Sequence, residues 1–217
     1  MKVFVSWSGG KDSALACYNA MRNNKREIVY LLNMLAEDGR QSRSHHLSAD
    51  ILKYQAEAIG IPIVQRQATW QGYEEEFKKV IADFRKKGVQ AGVFGDIDVK
   101  EHRDWVERVC QESGLEAMLP LWQRSRESLM EEFIAAGFKA VIVTVRLESM
   151  DSQWLGRELD AQFLKDMRCL PQVDLCGENG EYHTFVYDGP FFKRPVDFIL
   201  GNRILKDTHA FLELKAK

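Results

Sequence analysis

The sequence has 217 residues and a mass of 25.0 kDa, with 45% hydrophobic and 29% charged residues. This composition excludes intrinsic disorder and allows a core that needs neither a structural metal nor disulfides. Thirty basic and thirty-two acidic side chains give a formal net charge of −2, which disfavours general nucleic-acid binding. The four cysteines form no CxxC pair, the first residues do not resemble a signal peptide, and no apolar run approaches the ~18 residues of a membrane span. We therefore expect a soluble, cytoplasmic protein with reduced thiols.

The first half of the sequence alternates between predicted strands and predicted helices. Short apolar runs predict strands over residues 3–5, 28–32, 63–64, 89–94 and 117–121. Helical periodicity, with glycines where the last three segments stop, predicts helices over residues 11–23, 47–59, 73–87 and 99–112. These strands and helices alternate in succession. They predict an α/β fold with a Rossmann-like open parallel sheet and helices on both faces.

The pattern changes after residue 122. A helix over 125–136, a strand over 140–145 and a helix over 158–167 follow, and from Tyr182 onward short β-prone pieces are separated by turns at 188–190 and at Gly201-Asn202. We place a boundary near residues 122–125. The sequence thus predicts a first domain over 1–122 and a smaller C-terminal α+β domain over 123–217.

The most informative motif stands at the first strand-to-helix junction and consists of Ser8, Gly9, Gly10, Lys11, Asp12 and Ser13. In a doubly wound sheet this junction lies at the carboxyl edge, where ligands bind. Glycines there permit positive φ and let backbone N–H groups approach an oxyanion, and the helix N-terminus favours phosphate. The serine hydroxyls and the Lys11 ammonium add donors. The motif therefore predicts a phosphate-binding loop rather than a turn that only caps a helix.

Asp12 is the unexpected member of this loop, because a carboxylate facing phosphate is repulsive unless a cation lies between them. We expect Asp12 to hold Mg²⁺. The spacing matches neither the GxxxxGK[ST] of the common P-loop nor the GxGxxG of dinucleotide-binding proteins. Motor ATPases and NAD-dependent enzymes are excluded on this ground.

The loop resembles the SGGxDS loop (PP-loop) of the N-type ATP pyrophosphatases. The resemblance extends over essentially the whole chain, through EAIGIP at 57–62, VFGDI at 93–97, WLGR at 154–157 and CGENGEYHT at 176–184. Together these segments resemble the diphthine–ammonia ligase family, which serves diphthamide biosynthesis, and its bacterial relatives. The resemblance implies an adenine nucleotide alpha hydrolase-like fold, in which residues 1–122 bind ATP and residues 123–217 bind the acceptor.

The resemblance also implies a reaction. Such enzymes cleave ATP between the α- and β-phosphates, adenylate a substrate carboxylate, release AMP and pyrophosphate, and transfer ammonia to the activated carboxyl group. ATP and Mg²⁺ are the expected cofactors. ATP, ammonia and a carboxylate acceptor, such as a modified protein like elongation factor 2 or a small molecule, are the expected partners. A homodimer is one assembly to test.

Further candidate site residues lie outside the loop. Gly95 and Asp96 follow the fourth predicted strand, on the edge that carries the phosphate loop, and we favour a nucleotide- or Mg²⁺-facing role for Asp96 and a helix-capping role for Asp98. The second set comprises Gly177, Glu178, Asn179, Gly180, Glu181, Tyr182, His183 and Thr184. We expect this segment to bind the acceptor rather than to form only a polar turn. Lys11, Asp12, Glu181 and His183 are the catalytic candidates.

Two further predictions stay open at this point. Arg157 could bind an acceptor carboxylate or a phosphate through its guanidinium fork, or form a surface ion pair. His45 and His46 follow a polar loop; solvated loop histidines are the default, and the resemblance makes His45 an active-site candidate.

The chain departs from the family where the diphthine ligases usually carry EGGEYET and it reads ENGEYHT, with Asn179 in place of glycine and His183 in place of glutamate. The histidine replaces a carboxylate with an imidazole, so it changes both the charge and the groups that can donate or accept a proton beside the acceptor. The alternatives to a diphthine ligase are an amidating enzyme for another carboxylate, such as a corrinoid precursor, a tRNA-modifying adenylating enzyme, and a non-catalytic ATP-binding sensor.

Overall fold

The computed structural model describes residues 1–43 and 45–217. Contacts divide these residues into two compact units. Unit 1 contains residues 1–8, 12–43 and 60–123, and unit 2 contains residues 9–11, 45–59 and 124–217. The predicted domain limits, 1–122 and 123–217, stay a prediction.

The strands are β1 (Lys2–Ser6), β2 (Glu27–Leu35), β3 (Ile63–Gln67), β4 (Val89–Val93), β5 (Glu116–Met118), β6 (Lys139–Arg146), β7 (Tyr182–Asp188), β8 (Phe198–Lys206) and β9 (His209–Ala216). The α-helices are α1 (Lys11–Met21), α2 (Ala49–Ile59), α3 (Tyr73–Lys86), α4 (Lys100–Glu112), α5 (Arg126–Ala135) and α6 (Ala161–Arg168). None of the helices in the described part of the chain has the length and apolar character needed to cross a membrane.

Unit 1 is built on a five-stranded parallel sheet with strand order β3-β2-β1-β4-β5. Strands β2 and β3 continue from one side of β1, and β4 and β5 continue from its other side. The strand order therefore reverses between β1 and β4, and the loops that follow these two strands leave the same edge. This is the point at which open α/β sheets bind their ligands. The predicted fold class is confirmed.

The core of unit 1 is aromatic. Phe4 from β1 is fully buried and contacts Phe77 and Phe84 of α3, with ring centroids 6.3 and 5.5 Å apart. Phe94, next to β4, packs edge-on against Phe4 at 5.9 Å, and Tyr30 of β2 stacks on Phe84 at 4.5 Å. These contacts bind α3 to the middle of the sheet.

Unit 2 contains a four-stranded antiparallel sheet with strand order β7-β6-β9-β8. Six of the eight residues of β6 are buried, as expected for a central strand with a β-branched sequence. Helix α2 contacts β9 and presents Ile51, Leu52 and Ile59 among its buried residues. The expected C-terminal α+β region is therefore present.

Three local predictions are wrong. Strand β5 ends at Met118, before Pro120, whose missing N–H cannot continue a ladder. Helix α4 has Val99 as its N-cap residue, so the predicted N-cap position at Asp98 is one residue too early. Gly201 and Asn202 do not end a strand but lie inside β8, where the ladder with β9 shifts register between Leu200 and Arg203. An extra residue is accommodated there as a bulge.

We expect Phe77→Ala to lower the free energy of unfolding by about 3–5 kcal/mol, because it opens a cavity beside Phe4 and Phe94. Trp70→Ala is the matched control, since Trp70 is 74% exposed. Urea unfolding followed by circular dichroism measures both. Equal losses in the two variants would contradict the packing described here.

Candidate functional site

The phosphate-loop motif is shared between the two units. Residues 9–11 belong by their contacts to unit 2, and Ser8, Asp12 and Ser13 belong to unit 1. In unit 1, the hydroxyls of Ser8 and Ser13 lie 3.1 Å apart, within hydrogen-bond distance, and Asp12 occupies the first turn of α1. The motif therefore surrounds the start of a helix, as the sequence predicts.

The loop after β4 meets this helix start within unit 1. The backbone of Gly95 approaches α1 so closely that a Cβ there would lie 2.9 Å from the Asp12 carbonyl carbon and 3.0 Å from the Ser13 nitrogen. Asp96, the next residue, is partly exposed and lies 3.3 Å from Nδ1 of His102. Gly95 therefore stands beside the start of α1, and Asp96 follows it in the chain.

Within unit 2, residues 9–11 are bonded to strand β7. The backbone N–H of Val186 donates to the Gly9 carbonyl at 2.9 Å, and the backbone N–H of Lys11 donates to the Thr184 hydroxyl at 3.0 Å. Gly9 adopts φ +85°, the left-handed conformation that glycine tolerates best. The predicted positive φ is therefore present at Gly9.

The bond from Lys11 to Thr184 changes one expectation. The sequence predicts that the first backbone N–H groups of α1 face phosphate, but the N–H of Lys11 donates to a buried threonine instead. The reason lies in tertiary structure: β7 supplies an acceptor that is 173 residues away in the chain.

Gln55 supports the same loop and was not singled out from the sequence. Its side chain is fully buried, and its Nε2 donates to the Gly9 carbonyl at 3.0 Å and to the Val186 carbonyl at 2.5 Å. One amide thus ties helix α2 to both the loop and β7. A polar residue on the buried face of an amphipathic helix, beside Leu52, was the signal that could have identified it.

The segment before β7 is organised by two carboxylates. Glu181 is 2% exposed and accepts hydrogen bonds from the backbone N–H of Asp174 and of Asn179, both at 3.0 Å, and from the Asn179 side-chain amide at 3.1 Å. The carboxylate of Asp174 accepts from the backbone N–H of Cys176 and of Glu178, and it pairs with Arg126 at 3.0 Å. Glu181 therefore holds the turn, and its catalytic role stays a prediction.

Two glycines and a tyrosine complete this turn. Gly177 and Gly180 adopt positive φ at the corners of the turn, and the hydroxyl of Tyr182 donates to the Leu175 carbonyl at 2.7 Å. Tyr182 itself is 1% exposed. The predicted acceptor segment is thus an ordered turn that leads into β7, an edge strand of the unit 2 sheet.

His45 and His183 form a contact pair in unit 2. Their ring centroids are 4.6 Å apart, and Nδ1 of His45 lies 3.1 Å from the Thr184 carbonyl. His45 also covers the phosphate loop, since a Cβ on Gly10 would lie 2.3 Å from its Cε1. The default interpretation of His45 as a solvated loop histidine is therefore wrong. Adjacent His46 packs edge-on against Phe211 at 4.5 Å.

Burial lowers the pKa of His183 well below its ordinary value of 6.5, and the nearby charges of His45 and Lys11 lower this pKa further. Lys11 is itself 5% exposed, and its Nζ lies 5.5 Å from the centroid of the Tyr182 ring. The buried Lys11 cation therefore disfavours a second positive charge on the His183 imidazole. His183 is neutral at pH 7 and can accept a hydrogen bond or a proton.

Arg157 is held in ion pairs. Its Nη2 lies 3.3 Å from Asp160 and 3.1 Å from Asp166, so the ion-pair alternative describes its position. Its role toward an acceptor stays a prediction. The described residues contain no group of three or more His, Cys, Asp or Glu side chains arranged to hold a metal ion.

The lowered pKa of His183 predicts a pH dependence of stability. As pH falls, the unfolded chain binds a proton at this position near pH 6.5, whereas the folded chain does so only at lower pH. The stability that neutral His183 gives the folded chain is therefore fully present above pH 6.5 and is lost as the pH falls below it. We expect His183→Gln to reduce the loss of stability between pH 7.5 and pH 5.5 by up to about 1 kcal/mol. Urea titrations at the two pH values measure this loss.

His102→Gln is the control for this measurement, because the His102 side chain is 65% exposed. A pH dependence that is unchanged in His183→Gln, or reduced equally in both variants, would contradict the assignment.

Two protein-family models match the chain. The diphthamide synthase N-terminal domain matches residues 1–117, and the diphthamide synthase C-terminal domain matches residues 125–217. Among curated proteins, the chain is similar to the diphthine–ammonia ligases of Rattus norvegicus (30% identity), Mus musculus (31%) and Homo sapiens (29%). Each of these matches covers 97% of this chain and 88% of the relative. The chain therefore belongs to the diphthine–ammonia ligase family.

Proposed function

We propose that this protein is an ATP-dependent, amide-forming ligase that adenylates a carboxylate and then transfers ammonia to it. The observation that carries the proposal is the attachment of residues 9–11 of the phosphate loop to β7, through the Lys11–Thr184 and Val186–Gly9 hydrogen bonds. The segment that the resemblance assigns to the acceptor thus lies against the segment assigned to ATP. A ligase needs this proximity, because the acceptor must reach the α-phosphorus.

In the first step, a carboxylate oxygen of the acceptor attacks the α-phosphorus of ATP. The bond from this phosphorus to the oxygen that bridges to the β-phosphorus breaks, and pyrophosphate leaves with the electron pair. The Lys11 ammonium and the start of α1 support this step, because they favour the negative charge that moves onto the phosphate oxygens. Ser8 and Ser13 add hydroxyl donors at the same helix start.

In the second step, the ammonia nitrogen attacks the acyl carbon of the acyl-adenylate. The carbon–oxygen bond to AMP breaks, an amide forms, and one proton must leave the nitrogen. His183 is our candidate acceptor for this proton, because its lowered pKa keeps it neutral at pH 7. His45 is a positioning residue that packs on the His183 ring and on Gly10.

Mg²⁺ fits the residues present at the start of α1. Mg²⁺ prefers oxygen ligands and is commonly held by one or two carboxylates together with substrate phosphates, and Asp12 supplies such a carboxylate. The neighbouring loop adds Asp96 as a second candidate. When bound, the ion would neutralise phosphate charge.

Diphthine, carried by a modified protein such as elongation factor 2, is the acceptor that we propose to test first, since the curated relatives are named diphthine–ammonia ligases. His183 in place of the glutamate that the family usually carries distinguishes this chain near that acceptor. The tRNA-modifying enzyme, the corrinoid-precursor amidase and the ATP sensor are not favoured, because the family models and the named relatives all belong to diphthamide synthesis.

The reaction predicts where isotopes go. With an ¹⁸O-labelled acceptor carboxylate, [¹⁵N]ammonium and MgATP, we expect one ¹⁸O in the AMP phosphate and ¹⁵N in the product amide, both detected by mass spectrometry. Elongation factor 2 bearing diphthine and small carboxylates are compared as acceptors. Formation of ADP and phosphate, or unlabelled AMP, would overturn the adenylation step.

The proposed role of Asp12 predicts that its substitution lowers turnover but leaves the protein folded. We expect Asp12→Asn to lower kcat/KM by about 100-fold or more, because the charge that would hold Mg²⁺ is removed. Asp50→Asn is the matched control, since it makes the same change in the first turn of α2 and the Asp50 side chain is exposed. Activity of Asp12→Asn equal to that of the control would rule out the proposed role.

A further inference from the structure

Strand β8 forms one edge of the unit 2 sheet, and no strand of the described residues pairs with its outer side. The opposite edge is different, because the backbone of Val186 in β7 already donates to Gly9. An uncovered edge strand presents backbone N–H and C=O groups that can pair with another chain. β8 is nine residues long, which gives this edge considerable length.

The side chains of β8 are unusually apolar for an exposed edge. Ile199 is 49% exposed, Leu200 55%, Ile204 42% and Leu205 70%, and these account for four of the eight large hydrophobic side chains that the structure exposes. Natural edge strands are usually protected by charge or brevity. A long edge that carries half of the exposed large apolar side chains therefore indicates a surface that pairs.

The bulge at Gly201-Asn202 determines which faces these side chains occupy. Leu200 pairs with Leu214 of β9 and Arg203 pairs with Leu212, so the two-residue step on β9 is matched by three residues on β8. Because Leu212 and Leu214 lie on the same face of the sheet, Leu200 and Arg203 also share a face. Gly201 and Asn202 together therefore occupy one ladder position.

This arrangement makes β8 self-complementary around the bulge. In an antiparallel pair of two copies, a two-fold axis through the bulge places Leu200 opposite Arg203 of the partner subunit and Ile199 opposite Ile204 of the partner subunit. Phe198 then lies opposite Leu205 of the partner subunit. In each pair both residues occupy the same face, which direct cross-strand neighbours must do.

The charges agree with the same register. One step further out, Asp197 lies opposite Lys206 of the partner subunit, and the two-fold axis repeats this pair at the other end. Both side chains are exposed. Each end of the paired strands thus joins opposite charges, while the two kinds of apolar pair lie between these ends and the central Leu200–Arg203 pairs.

We propose that β8 is a self-association surface, at which a second copy of this chain adds its own β8 in antiparallel orientation and extends the four-stranded sheet to eight strands. The interface is isologous, as two-fold dimers are. One pair of strands covers less than the ~1,600 Å² of a standard stable interface, so we expect a micromolar dissociation constant.

Sedimentation equilibrium of the full chain tests the surface. We expect the wild type to reach twice its 25.0 kDa mass at high micromolar concentration. Asp197→Lys and Lys206→Asp each create two like-charge pairs and should raise the dissociation constant about tenfold. The double variant restores opposite charges and should recover the wild-type constant. Glu148→Lys, an exposed charge reversal outside β8, is the control and should change nothing.

Cross-linking tests the register independently of charge. Position 202 lies next to the two-fold axis, so Asn202→Cys in a Cys169→Ser background should form a disulfide-linked dimer on mild oxidation, since the other cysteines are buried. Glu148→Cys in the same background should remain monomeric.

Several outcomes would overturn the proposal: a wild type that stays monomeric at 200 µM, a dimer that the two single charge reversals do not weaken, a double variant that does not recover, or equal cross-linking at positions 202 and 148. Circular dichroism verifies that each variant is folded.

Discussion

The hydrogen bonds between residues 9–11 and strand β7 are the constraint on which the proposed chemistry depends. The Gly9 carbonyl accepts from both Val186 and Gln55, and the Lys11 backbone N–H donates to Thr184. Each of these groups is buried or part of a close backbone approach, and a buried polar group left without its partner is costly, about 1–3 kcal/mol. The loop conformation is therefore set by residues that are far away in sequence.

The same constraint explains the electrostatics. Because Lys11 is fixed beside Tyr182 and near His183, its positive charge adds to burial in disfavouring a second charge, and the pKa of His183 falls. In the proposed reaction the Lys11 cation serves the phosphate, while the neighbouring imidazole stays neutral. This separation of roles suits a reaction that stabilises anionic leaving groups and then must remove a proton from nitrogen.

The predicted acceptor segment shows that the sequence pattern does not reveal which groups a carboxylate contacts. Glu178, Glu181 and His183 look equivalent in the sequence, yet Glu181 receives three hydrogen bonds from its own turn, whereas His183 packs against His45. A carboxylate that organises a turn positions the groups around it. In this turn that function is shared with Asp174, which carries no motif and was found only in the structure.

Local sequence determined the alternation of strands and helices, the phosphate-loop motif at the first β–α junction, and the family, because hydrophobic period and loop chemistry are properties of neighbouring residues. Tertiary structure alone decided the roles of Gln55, His45 and Thr184, since each depends on a partner more than 40 residues away. It also placed the Gly201-Asn202 bulge inside β8 rather than at a turn. A glycine-containing segment inside a strand and one that ends a strand have similar local sequences. Only the pairing of β8 with β9, which supplies hydrogen-bond partners to the β8 backbone, shows that this strand continues.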